Sequence, residues 1–286
     1  MSKIAFVILH YCVVEETIEC VESIQQRIDV DDYDIIIVDN CSPDGSGEIL
    51  KEKYNNQKSI TVLSNSENLG FAKGCNVGYS YAKKEKESEF IVLLNNDTLL
   101  LQDDFYNTTC EEYKISNFAV LGPDIKTPDG INVNPVRNAI SNKKELAIFV
   151  LKTRMNLILN YFRVETFLKE MKKRFCSKNN NALDIAIINQ RALNVQLHGC
   201  CLVFSPVYIN KFEGLDDRTF LYMEEEILFN NVRKLGLTTV YNPKLKIYHK
   251  EDAATNSIMQ KTYLKRRFIY KNVLKSAKIL NDVFSK

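Results

Sequence analysis

The chain is poor in the residues that mark several protein classes. Ten glycines and six prolines among 286 residues rule out collagen-like repetition and leave no low-complexity tract. Eight cysteines (12, 20, 41, 75, 110, 176, 200 and 201) include no CxxC pair, and the one adjacent pair, Cys200-Cys201, has no second pair to complete a zinc site. They read as reduced, mostly buried thiols of a cytosolic protein. No apolar run approaches the ~20 residues of a membrane span; even LAIFVLKTRMNLILNYF is broken by Lys152, Arg154 and Asn156. The N-terminal apolar run continues into HYCVVEE without a small-residue cleavage site, so a first β-strand is expected there, not a signal peptide. Neither GxGxxG nor GxxxxGK[ST] occurs, which disfavours dinucleotide dehydrogenases and P-loop enzymes.

What is present is ordinary globular material, 45% hydrophobic and 26% charged, enough for one large or two modest cores. The formal charge of +2 conceals a segregation. Residues 143–178 carry ten basic and three acidic side chains, and residues 261–286 carry eight and one. Each stretch is therefore +7, and the remaining body is −12. Two cationic segments are attached to an acidic protein.

Along residues 1–125, four short apolar runs, IAFVILH (4–10), DIIIVDN (34–40), SITVLS (59–64) and FIVLLNN (90–96), alternate with amphipathic helical patterns. Strands apolar at successive positions are buried on both faces, and strand–helix alternation predicts a parallel sheet with helices on both sides. Ligands of such sheets lie beyond the carboxyl ends of the strands. Those ends carry His10-Tyr11, Asp39-Asn40 and Asn95-Asn96-Asp97. Residues 126–194 form an irregular stretch and then a basic amphipathic segment from about Lys143 to Phe175. Residues 195–286 resume with a strand in VQLHGCCLVFSP, a helix over 223–236, a strand pair in LTTVYNP and KLKIYHK, and a basic helix from about Gln260 to Phe284. The expected division is thus a nucleotide-sugar-binding half (1–125), a variable helical insertion (126–194) and an acceptor and catalytic-base half (195–286) of one continuous catalytic domain.

Several clusters bear chemistry. Asp97 ends an apolar strand, and one carboxylate with amide oxygens suits a weakly held Mg²⁺ or Mn²⁺ completed by substrate phosphates; a plain polar turn is the other reading. Asp39 precedes the Ser42-Pro43-Asp44-Gly45 turn, where a carboxylate either accepts the N3–H of a uracil or thymine ring or merely caps the turn. Asn68 to Gly78 is a loop feeding a helix with glycines on one face, which either meets a polar ligand or lets helix and sheet approach closely. Glu224-Glu225-Glu226 opens a helix behind the apolar Phe220-Leu221-Tyr222-Met223. Acids there suit the helix dipole, but the apolar lead-in predicts that at least one faces a pocket, where desolvation raises its pKa towards that of a general base. His249 also sits at a strand end.

In this order the residues resemble the inverting glycosyltransferases of family 2, with the GT-A nucleotide-diphosphosugar transferase fold, and are most similar to the rhamnosyltransferase-type branch. The motifs that carry the resemblance are Leu9-His10-Tyr11, Val38-Asp39-Asn40, Glu67-Asn68-Leu69-Gly70-Phe71 with Asn76 and Gly78, Leu94-Asn95-Asn96-Asp97-Thr98, and His198-Gly199 through the acids to His249. The resemblance implies an α/β fold with a mostly parallel central sheet flanked by helices. It implies that His10, Tyr11 and Asp39 hold the pyrimidine base, that Asn68, Gly70, Lys73, Asn76 and Asn96 border the rest of the donor, and that Asp97 and His249 hold Mn²⁺ or Mg²⁺. Two Asn precede Asp97 where the family usually has more than one Asp, so modest metal affinity is expected. Glu225 becomes the base, with Glu224 its rival.

The expected function is therefore transfer of a sugar from dTDP-rhamnose or a UDP-hexose to a hydroxyl of a growing, lipid-linked cell-surface glycan. The expected location is cytoplasmic, with the basic segments suited to an anionic membrane surface at the inner face of the plasma membrane or to a solvated lid or dimer arm; nucleic acid is disfavoured by the acidic body. Two alternatives stand beside it. A sugar-phosphate nucleotidyltransferase would need a Gly-rich basic loop where HYCVVEET lies, and a non-catalytic partner in a glycan assembly complex would explain the Asn residues before Asp97.

Overall fold

The computed structural model describes residues 3–136, 139–165, 189–251 and 262–285. Strands β1 (Ile4–His10), β2 (Tyr33–Asp39), β3 (Ile60–Ser64) and β4 (Phe90–Asn95) are separated by helices α1 (Val14–Arg27), α2 (Ser46–Tyr54) and α3 (Phe71–Lys84). β1 pairs in parallel with β2 and with β4, and β2 with β3. Their β-branched residues are buried on both faces, as the continuous apolar runs require. A short β5 (Thr98–Leu100), helix α4 (Phe105–Ser116) and β6 (Val120–Lys126) follow, then α5 (Lys143–Tyr161), β7 (Ala192–Leu193), β8 (Cys201–Phe204), α6 (Pro206–Ile209), α7 (Glu224–Lys234), β9 (Thr239–His249) and α8 (Thr262–Val283).

The nine strands form one sheet in the order β3-β2-β1-β4-β8-β6-β9-β5, with β7 also on β9. β8 enters between β4 and β6, antiparallel to both, so the sheet runs without interruption from the first half of the chain into the second. Two differences from the sequence expectations have simple causes. The 195–206 segment contributes only Cys201–Phe204 to the sheet, because His198 and Gly199 turn towards α7. The two expected last strands are one, β9, since Asn242 and Pro243 fall at an irregularity in the β6–β9 register and do not break the strand.

One face of the sheet packs Phe6, Ile8 and Ile37 against Cys20, Ile24, Leu50 and Phe105 of α1, α2 and α4. The other packs Val7, Ile36 and Val38 against Ala72, Tyr79, Leu228 and Val232 of α3 and α7. A separate cluster joins α5, α7 and α8 through Leu146, Ile227, Val273 and Leu280. Helix α5 has apolar residues on two opposite sides. Leu146, with Phe149 and Val150, packs inward, whereas Ile148, Leu151, Met155, Ile158 and, just past the helix end, Phe162, spaced three and four residues apart, are 47, 65, 55, 52 and 75% exposed. Residues 166–175 of the expected basic segment lie outside the described residues. No helix among the described residues is long and apolar enough to cross a membrane.

Candidate active site

The carboxyl ends of β1, β2 and β4 are tied together by buried polar side chains. Asn96 Nδ2 donates to Thr17 Oγ1 at 3.0 Å, Thr17 Oγ1 lies 2.7 Å from His10 Nδ1, His10 Nε2 lies 2.8 Å from Ser46 Oγ, and Ser46 Oγ donates to Asp44 Oδ1 at 2.5 Å. Because the Ser46 hydroxyl is committed to Asp44, Nε2 must be the donor in its contact, and Nδ1 accepts from Thr17. His10 is thereby a neutral imidazole, in keeping with the burial that holds its pKa below the ordinary value against the pull of Asp39 and Asp44. This corrects the sequence expectation: His10 is fully buried with both nitrogens engaged, so it positions the strand ends and cannot itself face a base.

Asp39 is fixed by Ser42, whose backbone N–H and hydroxyl donate to Oδ1 at 3.1 and 2.6 Å. The neighbouring Asn40 is a hub that the sequence reading left unassigned. Its Oδ1 accepts from Asn65 Nδ2 and from the Leu69 N–H, and its Nδ2 donates to Asn68 Oδ1 and the Gly70 carbonyl. Asn68 is exposed, but its oxygen is already shared with the Gly70 N–H. Gly70 has φ +80°, and a Cβ there would stand 2.3 Å from the Phe220 carbonyl oxygen, so only glycine lets the start of α3 meet the segment before α7. Asn76 has a structural role as well. Its amide makes paired 2.8 Å hydrogen bonds with the Leu215 carbonyl and N–H, which clamp α3 to the 214–215 loop and leave one amide N–H uncommitted. Lys73 is exposed on the first turn of α3, and Tyr11 is half-buried after β1.

The second cluster owes its existence to β5 and β9. Antiparallel pairing sets Thr98 opposite His249, and the Lys250 N–H donates to the Asp97 carbonyl at 2.9 Å. Asp97 Oδ1 consequently lies 3.1 Å from His249 Nε2. Asp97 Oδ1 is nonetheless a buried oxygen with no hydrogen-bond partner, and so is the other ring nitrogen of His249, Nδ1; a cation bound at Asp97 Oδ1 would satisfy that oxygen. The His198 ring is 5.7 Å from that of His249, and Glu225 Oε1 accepts from the Gly199 N–H at 3.1 Å. A Cβ on Gly199 would stand 2.5 Å from that same oxygen. Glu225, His198, His249 and Asp97 thus form one neighbourhood. His198 entered the sequence reading only as part of the motif running to His249 and was given no role, and Cys200 was passed over because its spacing to either histidine signals nothing.

Tyr222 and Met223 both have φ of +70°, backbone strain of a kind that collects at functional sites, and they deliver the three acids in different directions. Glu224 is buried and accepts from Thr219 Oγ1 at 2.8 Å. Burial first and the Glu225 charge second push its pKa up to about 8, and the same two causes push Glu226 up to about 7. Glu225 is half-exposed. Unfolded, Glu224 ionises near 4.5; folded, it keeps its proton to about 8. Its contribution to stability is therefore full below pH 4.5 and is lost as pH rises through the folded value. Glu224→Gln removes this slope, and urea unfolding should find it more stable than the wild type by ~2–4 kcal/mol at about pH 8 and nearly equal at about pH 5.

The sequence profile of glycosyl transferase family 2 matches residues 6–155. No curated protein matches the chain. The crystal structure of S. aureus TarS 1-349 superposes with a TM-score of 0.54 at 13% identity, over 99% of this chain and 70% of that one. The same protein in complex with UDP-GlcNAc gives 0.52 and 14% over the same shares. A structure of S. aureus TarS gives 0.53 and 15%, over 87% of this chain and 36% of that one. At such identities the likeness speaks for the fold, which is GT-A-like.

Proposed function

The chain belongs to glycosyl transferase family 2 and is a glycosyltransferase, and we propose that it inverts the anomeric carbon of a nucleoside diphosphate sugar in transferring that sugar to an acceptor hydroxyl. The observation that carries the reading is the position of Glu225 beside Gly199 and His198, across from the Asp97–His249 pair, at the carboxyl edge of the sheet. Glu225 is half-buried there, while burial holds Glu224 protonated at neutral pH. Glu225 takes the acceptor hydroxyl proton as the new C–O bond forms, and the electron pair of the old anomeric C–O bond leaves with the diphosphate. Attack and departure on opposite faces invert the configuration.

Asp97 and His249 are the residues to hold a divalent cation, Mn²⁺ or Mg²⁺, and their unpartnered atoms fit that role. When bound, such an ion supplies positive charge opposite the leaving diphosphate. Asp39, with Oδ1 committed to Ser42, has Oδ2 to accept the ring N–H of a uracil or thymine. Tyr11, Asn68 and Lys73 border the donor from the β1 and α3 side, and Asn96 backs it through Thr17. The donor is a UDP-linked hexose, by likeness to TarS, crystallised with UDP and UDP-GlcNAc, or dTDP-rhamnose, by the resemblance of the motifs.

The acceptor is a membrane-borne glycan. Support for this comes from the exposed apolar stripe of α5, which is accompanied by Lys144, Lys152 and Arg154, while the opposite face of the helix packs through Leu146 on the strongly basic α8. An apolar line with cations beside it suits the interface of an anionic bilayer. A single experiment has arms for both donor and surface: thermal unfolding with a panel of nucleoside diphosphates and their sugars in Mn²⁺, repeated with anionic and neutral vesicles. A pyrimidine diphosphate sugar should raise the melting temperature, and anionic vesicles alone should retain the protein on flotation. No shift with any member of the panel refutes the donor reading, and equal retention by neutral vesicles refutes the electrostatic one.

A further inference from the structure

The cation site holds more nitrogen and sulfur than Mg²⁺ requires. His198, Cys200 and His249 each offer a ligand atom, all within 4.8 Å of one another, and Asp97 Oδ1 adjoins His249 Nε2 at 3.1 Å. Each arrives by a different route. Asp97 and His249 are brought together by β5 and β9. Cys200 is placed beside the end of β4, where its carbonyl accepts from the Asn95 N–H at 2.9 Å. The Cys200 N–H in turn donates to His198 Nδ1 at 3.2 Å, which fixes that ring and leaves Nε2 as its ligand atom. A buried thiol by itself is ordinary core packing. Two imidazoles and a carboxylate around it are not, and the His249 Nδ1 atom is buried without a partner.

We propose that Asp97, His249, His198 and Cys200 together form a mixed oxygen, nitrogen and sulfur site that takes a borderline cation such as Zn²⁺ or Co²⁺ in preference to Mg²⁺. Imidazole and thiolate favour such ions, whereas carboxylate and water suit Mg²⁺. When Cys200 binds, its S–H bond breaks, the proton passes to water, and the sulfur lone pair enters the metal–ligand bond. This deepens the glycosyltransferase reading and rests on it for the meaning of the site, but not for its test.

The test is titration of the full chain with Co²⁺, in the absence of any nucleotide, following the near-ultraviolet sulfur-to-cobalt charge-transfer absorption. The wild type should develop a saturating band that Zn²⁺ abolishes and excess Mg²⁺ does not. Cys200→Ser should still bind Co²⁺ but lose the band, while replacing the exposed Cys41 by Ser should leave it intact. His198→Gln should weaken Co²⁺ binding by at least ~10-fold. Absence of the band in the wild type, its survival in Cys200→Ser, or displacement of Co²⁺ by an equal concentration of Mg²⁺ each overturns the proposal. If Cys200→Ser does not fold, the wild-type band and the His198→Gln affinity decide. Nucleotide-induced thermal shifts in the same preparation separate the two readings: shifts without a band sink the mixed site alone, and a band without shifts sinks the donor reading.

Discussion

Glu225→Gln should reduce sugar transfer by ~10²–10⁴-fold, the contribution usual for a positioned general base, while donor affinity stays within a few-fold of the wild type. The substitution is nearly isosteric. Glutamine keeps an oxygen to accept from the Gly199 N–H, so the 3.1 Å contact that seats the side chain can persist. What is lost is the capacity to take a proton. The control is Glu224→Gln, which removes a carboxyl that burial already keeps protonated at neutral pH, and its effect on rate should be small. Steady-state rates for both variants, with donor binding measured separately, check the assignment. A fully active Glu225→Gln with an inactive Glu224→Gln would transfer the role to Glu224.

Asp97→Asn is the second large effect. It should abolish the part of nucleotide binding that depends on a divalent cation and lower transfer by ~10²–10³-fold, the scale of losing one charge-stabilising group. The fold should survive, because Asp97 supports the structure through its backbone carbonyl, which accepts from the Lys250 N–H. Its side chain has a buried oxygen without a hydrogen-bond donor. Asparagine has the same shape without the charge. Thermal shift with nucleotide, with and without Mn²⁺, is the measurement; an undiminished Mn²⁺-dependent shift in the variant would remove Asp97 from the cation site.

The strands and the edge on which the site lies were legible because burial on both faces demands unbroken apolar runs, and a change to His, Asp or Asn marks where each run leaves the core. The acids that open α7 were legible as a group. How each is buried was not, because it depends on the positive φ of Tyr222 and Met223, a property of the turn that two ordinary side chains do not announce. His10 and Asn76 have the composition of ligand-binding residues and serve as clamps, since their partners, Thr17, Ser46 and Leu215, are chosen by tertiary approach. A polar residue at a strand end signals either a ligand or a junction, and local sequence does not separate the two. Helix α5 hid its character for the opposite reason: apolar residues on both sides cancel any one-sided periodicity.

The pairing of β5 with β9 sets a schedule as well as a geometry. Asp97 and His249 stand about 150 residues apart in the chain, a separation whose closure is among the slow events of folding. The Lys250 side chain seals that closure by pairing with Glu16 of the first helix. A nascent chain can complete the parallel strands β1 to β4 long before β9 is made, and it then lacks the Asp97–His249 pair. If that pair holds the cation as proposed, reactivity toward an activated sugar is withheld until β9 is in the sheet, and a C-terminally clipped product that lacks β9 should be inert from the start.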